Sequence, residues 1–282
     1  MQSRRRFLSG VVGLAAATSA FARKPALQIG ITDWNLNQTG MLEAVALARQ
    51  LGFDAVQVSL GQKPVNDKLP LDDASLEERY LAEAKRAGVK IDSTCLDILH
   101  INYLKSDPLG PKWVTDGIRV TRALKTQVML LPFFGKGALR TPEEIDRVGD
   151  ILRELGPEAE KAGVILGVEN TISAADNVRI LDRARSKAVK VYYDVGNSTE
   201  GGFDIIREIR TLGPERICQF HFKDEPNYLG EGKIDFPLVI HTILTIGYRG
   251  FANLETSAPS HSMEGDLRRN LAYVHRLIEQ NS

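Results

Sequence analysis

The chain has 282 residues, 36 of them Lys or Arg and 36 Asp or Glu, with 43% hydrophobic and 26% charged side chains. That composition describes an ordinary soluble protein, and an even charge balance without a basic stripe excludes the electrostatic footprint of a nucleic-acid binder. The two cysteines, Cys95 and Cys218, fall in separate strand-like runs, which argues against a disulfide framework.

From the N-terminus, Ser3-Arg4-Arg5-Arg6-Phe7-Leu8 sets an arginine pair ahead of an apolar stretch from Val11 to Ala17. Ala20-Phe21-Ala22 follows as a small-x-small cleavage site. This order predicts a twin-arginine export signal over residues 1–22 and a periplasmic or otherwise exported mature protein. The alternative is a basic amphipathic start that stays attached. The apolar stretch is shorter than the roughly 20 residues a bilayer span requires, and no further apolar run is long enough to span one, so no membrane association is expected after signal removal. Cleavage removes three arginines and no acid, leaving 260 residues with a net charge of −3. Twin-arginine export carries folded proteins, which is compatible with loading a cofactor before export.

Residues 23–282 alternate two periods. Strand candidates rich in β-branched or apolar residues run Leu27 to Asp33, Ala55 to Ser59, Lys90 to Thr94, Val128 to Pro132, Ile165 to Glu169, Val191 to Asp194, Cys218 to Lys223 and Ala252 to Glu255. Between them, apolar residues at three- and four-residue spacing predict helices such as Met41 to Leu51 and Leu76 to Ala87. Thr141 followed by Pro142-Glu143-Glu144 reads as an N-cap, a first-turn proline and acids favoured by the helix dipole, opening a helix to about Lys161. Gly52, Gly88, Gly163 and Gly247 stand where helices stop, as left-handed caps do. Strand then helix, repeated eight times, predicts a single (β/α)8 TIM barrel of the α/β class. A doubly wound open sheet is the rival, but it calls for a glycine-rich loop after the first strand. The turn here is Asp33-Trp34-Asn35-Leu36-Asn37-Gln38. No linker-like tract divides the chain.

In such a barrel the site lies at the carboxyl ends of the strands. Four consecutive candidate strands end on potential ligands: Glu169, Asp194, His221 and Glu255. Alternation supports the set. With Glu169 inward, Val168 and Leu166 face the helices; with His221 inward, Phe220 and Phe222 do; Glu255 inward sends Leu254 outward. Three carboxylates with one imidazole and no thiolate suit a hard divalent ion, Mn2+ first, with Mg2+ or Co2+ as alternatives. Such an ion would take two adjacent substrate oxygens and polarise a carbonyl. Glu169 and Glu255, at the two ends of the arc, then become the acid/base pair that moves a proton through an enediolate.

Each assignment has a structural competitor. Glu169 and Asp194 could be buried acids paired with Lys or Arg, His221 a satisfied core histidine, and Glu255 with Thr256 a helix cap. Lys223 is either a ligand for a substrate oxygen or a solvated rim lysine, and Asn197 either supports its turn or touches substrate. Trp34, Phe133 and Phe134 end the first and fourth strands, where packing is the default and stacking on a sugar the alternative. His100 and His261 fall in rim loops within reach of substrate, whereas His241 and His275 lie in helices. Gly230, Gly232 and Asp235 shape a rim loop, with a phosphate cradle as the sharper alternative.

The runs Val168-Glu169-Asn170, Asp194-Val195-Gly196-Asn197, His221-Phe222-Lys223-Asp224, Gly230-Glu231-Gly232-Lys233-Ile234-Asp235-Phe236 and Leu254-Glu255 together resemble the xylose isomerase-like sugar phosphate isomerase/epimerase superfamily. Within it the chain looks most like the ketose 3-epimerase and hydroxypyruvate isomerase branch. The resemblance implies metal ligation by Glu169, Asp194, His221 and Glu255, with the two Glu as acid/base pair, and a small carbohydrate as substrate. It also marks departures. Ketose 3-epimerases of the tagatose and psicose type carry Glu, His and Arg where this chain has Ala175, Asn197 and Asn227. Asn197 and Asn227 therefore stand with Trp34, His100 and Lys223 as candidate substrate contacts, and the usual sugar clamp is not carried over. A lyase or dehydratase acting on a keto-sugar or keto-glycoside, and a non-catalytic sugar-binding barrel, remain alternatives. A zinc-dependent abasic-site endonuclease is disfavoured by five histidines and a neutral charge. No nucleic-acid partner is expected, and a homo-oligomer is compatible with the sequence.

Overall fold

The computed structural model describes residues 26–281. The export signal expected over residues 1–22 lies outside them. Eight strands close in sequence order into a parallel barrel, with the first hydrogen-bonded to the last. They are β1 (Leu27–Thr32), β2 (Ala55–Ser59), β3 (Lys90–Cys95), β4 (Val128–Pro132), β5 (Ile165–Glu169), β6 (Val189–Asp194), β7 (Ile217–Phe222) and β8 (Gly250–Leu254). The helices are α1 (Glu43–Leu51), α2 (Ala74–Ala87), α3 (Gly110–Ala123), α4 (Pro142–Ala162), α5 (Ala174–Ala184), α6 (Val195–Glu200), α7 (Ile205–Arg216), α8 (Phe236–Thr245) and α9 (Met263–Gln280). No helix among the described residues is long and apolar enough to cross a membrane.

The local signals act as their chemistry requires. Thr141 accepts from the Glu144 amide and Pro142 opens α4, while Gly52, Gly88 and Gly163 adopt left-handed conformations that end α1, α2 and α4. Period-two alternation then separates two apolar layers. Val168, Phe220, Phe222 and Leu254 join the large cluster between sheet and helices, whereas Cys95, Val128, Leu130 and Tyr192 fill the barrel itself. Cys95 and Cys218 are free thiols.

Register irregularities in β2–β3 and β6–β7 leave Asp92 and Cys218 out of the Cα pairing. They fall beneath the carboxyl rim, where a buried polar column crosses the barrel. Gln219 donates to Asp92 and to Ser93 (3.2 Å), and Asn253 donates to the Tyr192 hydroxyl (3.3 Å). Gly167 matters here: a Cβ would press on Cys218 Sγ at 2.8 Å and on Tyr192 at 3.2 Å, so the small residue leaves the lumen to the tyrosine.

Candidate metal centre and substrate cavity

Strand alternation carries four donors to one rim. Glu169 ends β5 and Asp194 ends β6, His221 is the penultimate residue of β7, and Glu255 follows β8. Asp194 and His221 are also register partners across β6 and β7. One ligand atom from each of the four lies within 4.8 Å of all the others. From His221 Nδ1 the distances are 2.7 Å to Glu169 Oε1, 3.5 Å to Glu255 Oε2 and 3.9 Å to Asp194 Oδ2.

The other ring nitrogen, Nε2, is 2.7 Å from Gln57 Oε1. Both ring nitrogens therefore face oxygens. Burial pulls the imidazolium down, but Glu169 and Glu255 outweigh it and push the His221 pKa up to about 9. Lys223 closes the cluster, with Nζ 2.9 Å from Asp194 Oδ2 and 2.8 Å from Glu255 Oε2. Burial opposes its charge, yet Asp194 and Glu255 hold it firmly protonated. Gly196 lets the lysine stem pass, because a Cβ there would collide with Lys223 Cγ. Burial raises the Asp194 carboxyl, while Glu255, also penalised by burial, is pulled below the ordinary range by His221 and Lys223.

Each carboxylate is aimed by a neighbour. The Asn197 backbone N–H donates to Asp194 Oδ1 at 2.9 Å, making Asp194 the N-cap of α6, and the Trp34 indole N–H donates to Glu255 Oε1 at 3.0 Å. Asp194 Oδ2 is buried, with the Lys223 ammonium 2.9 Å away. An oxygen of that kind, turned toward two other carboxylates and an imidazole, fits a cation. Glu255 does not cap a helix, since α9 begins only at Met263.

A cavity of about 340 Å³ opens above the cluster. Of the residues expected to touch substrate, Trp34, His100, Asn197 and Lys223 line it, and Phe134 does so as well, stacked on His100 with ring centroids 6.3 Å apart. Phe133 is buried in the core. Asn227 stands apart, exposed in the turn after Asp224, with its backbone N–H bonded to the Asp224 carbonyl. His261 is exposed in the loop before α9 and does not line the cavity.

The glycine-rich loop after β7 encloses one of the chain's own carboxylates. Asp224 accepts from the amides of Gly230 (3.1 Å), Gly232 (3.0 Å) and Lys233 (2.9 Å), so these N–H groups are already used. Three residues escaped the sequence reading: Gln57 beneath the imidazole, and Asp97 and Gln62 in the cavity wall. Alternation along β2, which turns Gln57 inward among apolar neighbours, was the available signal for the first. For Asp97, which opens a single 3-10 turn after β3, and Gln62, in the loop after β2, none existed.

Fold and site together define a parallel (β/α)8 barrel with a candidate metal centre on its carboxyl rim. The chain belongs to the xylose isomerase-like TIM barrel family, whose model matches residues 45–277. It is 26% identical to the 2-epi-5-epi-valiolone 7-phosphate 2-epimerase of an Actinoplanes species over 71% of this chain and 73% of that one. It is 27% identical to the L-ribulose-5-phosphate 3-epimerase of Salmonella heidelberg over 74% of this chain and 79% of that one. Among solved structures, 3-keto-D-glucoside 4-epimerase from E. coli superposes with a TM-score of 0.72 at 18% identity, covering 89% of this chain and 99% of that one. D-Psicose 3-epimerase does so with a TM-score of 0.74 at 14% identity and the same coverage. At those identities the structural likeness concerns the fold.

Proposed function

We propose that this chain is a divalent-metal-dependent isomerase or epimerase of a keto-sugar or sugar derivative, exported by the twin-arginine route. The observation that carries this reading is the convergence of Glu169, Asp194, His221 and Glu255 within 4.8 Å. Relatives named as epimerases of sugar phosphates and related cyclitols support the reaction type.

The four residues would hold the ion, and three carboxylates with one imidazole and no thiolate suit a hard divalent ion, Mn2+ first in this reading with Mg2+ or Co2+ as alternatives. Bound there, the ion would polarise a substrate carbonyl. The remaining work falls to the chain. Glu169 and Glu255 border the cavity from β5 and β8 at opposite ends of the ligand arc. One removes the proton from the carbon beside the carbonyl, leaving an enediolate, and the other returns it. Return to the same carbon on the opposite face gives an epimer; return to the neighbouring carbon gives the aldose or ketose isomer. Trp34 and Lys223 hold the two oxygens of Glu255, and His221 and Lys223 keep it ionised against burial, as a base must be.

The test is exchange of substrate hydrogen with D2O, followed by NMR across ketoses, 3-keto-glycosides and inositol derivatives. Exchange that requires added Mn2+ is expected. Binding without exchange would identify a sugar-binding barrel, and loss of water from the substrate a dehydratase.

A further inference from the structure

The metal cluster occupies the β5–β8 half of the cavity mouth, and apart from the Trp34 bond to Glu255 the proposed reaction leaves the β1–β4 half without a role. That half presents Asp97 in the wall, Thr39, Gln62 and His100 at the opening, and the rings of Trp34 and Phe134. We infer that it is a subsite for an uncharged, hydroxyl-bearing part of the substrate, read by Asp97, and that the substrate is not phosphorylated.

Asp97 is a built-in acceptor. It is only 6% exposed, and its Oδ2 is fixed by the Ser59 hydroxyl at 2.6 Å and approached by the Gly61 amide at 3.4 Å. A carboxylate so anchored accepts hydrogen bonds from sugar hydroxyls and repels a phosphate dianion placed against it. Phosphate recognition calls for guanidinium or ammonium groups, or free amides. Among the described residues lining the cavity the one Lys or Arg is Lys223, and it is already shared between Asp194 and Glu255. The glycine-loop amides are likewise engaged by Asp224. The aromatic pair of His100 and Phe134 suits the C–H face of a sugar ring. This chain would then part from those relatives whose names specify phosphate esters.

The inference rests on the metal-dependent sugar reading above, and the experiment separates the two. Mn2+-loaded protein is given matched pairs, D-fructose with D-fructose 6-phosphate and D-ribulose with D-ribulose 5-phosphate, scoring binding by calorimetry and solvent deuterium exchange by NMR. The free ketose of a pair is expected to exchange at least about tenfold better than its ester. Asp97→Asn keeps an oxygen for Ser59. It should raise KM for the free ketose about tenfold, the loss of one charged hydrogen-bond acceptor, with kcat little changed. An ester that binds and exchanges as well as its free sugar overturns the inference, as does an Asn variant with unaltered KM. Neither binding nor exchange with any member of either pair, nor with the 3-keto-glycosides and inositol derivatives of the wider panel, would remove the underlying enzymatic reading, and this inference with it.

Discussion

His221 turns its Nε2 toward Gln57 Oε1 at 2.7 Å, deep in the barrel and on the side of the ring away from the carboxylates. An amide oxygen only accepts, so Nε2 must carry hydrogen; the lone pair of Nδ1 is then the one available to an ion among Glu169, Asp194 and Glu255. Gln57 thus fixes the tautomer that ligation needs. Gln57→Leu should weaken Mn2+ binding by roughly 10–100-fold, the usual cost of losing such a partner, whereas Gln57→Glu keeps an acceptor and should retain tight binding. Calorimetric titration of the three proteins decides it, and equal affinities for wild type and the Leu variant would sink the argument.

Glu169→Gln and Glu255→Gln preserve shape while removing the base. Each should lower solvent exchange by about 10²–10⁴-fold, the range of general acid–base contributions. Metal content measured in parallel distinguishes a lost base from a lost ligand: a variant that keeps its Mn2+ but not exchange marks a proton carrier. Unchanged exchange in both variants would remove these residues from the chemistry.

Much of this was legible before the structure. The eight strands and the four donors that meet at the rim followed from apolar runs ending on polar residues, because a parallel barrel buries both faces of each strand. Even so, β6 starts at Val189 rather than Val191, and Asp194 proves to be the cap of the short α6 as well as a strand end. The loops were not legible. Asn227 was placed by its offset from His221, yet the turn there is set by backbone amides gathering around Asp224, an arrangement that leaves no periodic trace in sequence. Asp97 was hidden for the same reason: its burial comes from contacts with β2 through Ser59, far away in the chain.

Lys223 supplies positive charge between Asp194 and Glu255 in the metal-free protein. Lys223→Met would leave the buried Asp194 and the half-buried Glu255 without that partner, and removing one member of a buried ion pair costs about 3–5 kcal/mol. The variant without metal should therefore melt well below wild type. Added Mn2+ should raise its Tm by more than it raises that of wild type, since the ion replaces the missing charge as well as binding. Thermal melts with and without Mn2+ test this directly; an equal Tm for the two metal-free proteins would show that Lys223 has no such role.

Asp92 gives a pH dependence that runs opposite to that of a salt-bridged acid. Burial in the polar column raises its pKa from 3.8 to about 7, against hydrogen bonds from groups including Gln219 that favour the carboxylate. The folded state therefore holds this proton more tightly than the unfolded chain does. Its contribution to stability is complete below about pH 4 and is lost as pH rises toward 7, where the ionised group sits buried. Asp92→Asn keeps an acceptor for Gln219 and cannot ionise. At pH 8 it should stabilise the protein by roughly 1–3 kcal/mol, the penalty of a poorly satisfied buried polar group, and raise Tm by several degrees. Near pH 4, where wild-type Asp92 is neutral in the fold, that gain should vanish. Denaturation of both proteins across pH 4–8 measures the difference, and a gain that does not grow with pH would show that Asp92 is not the group responsible.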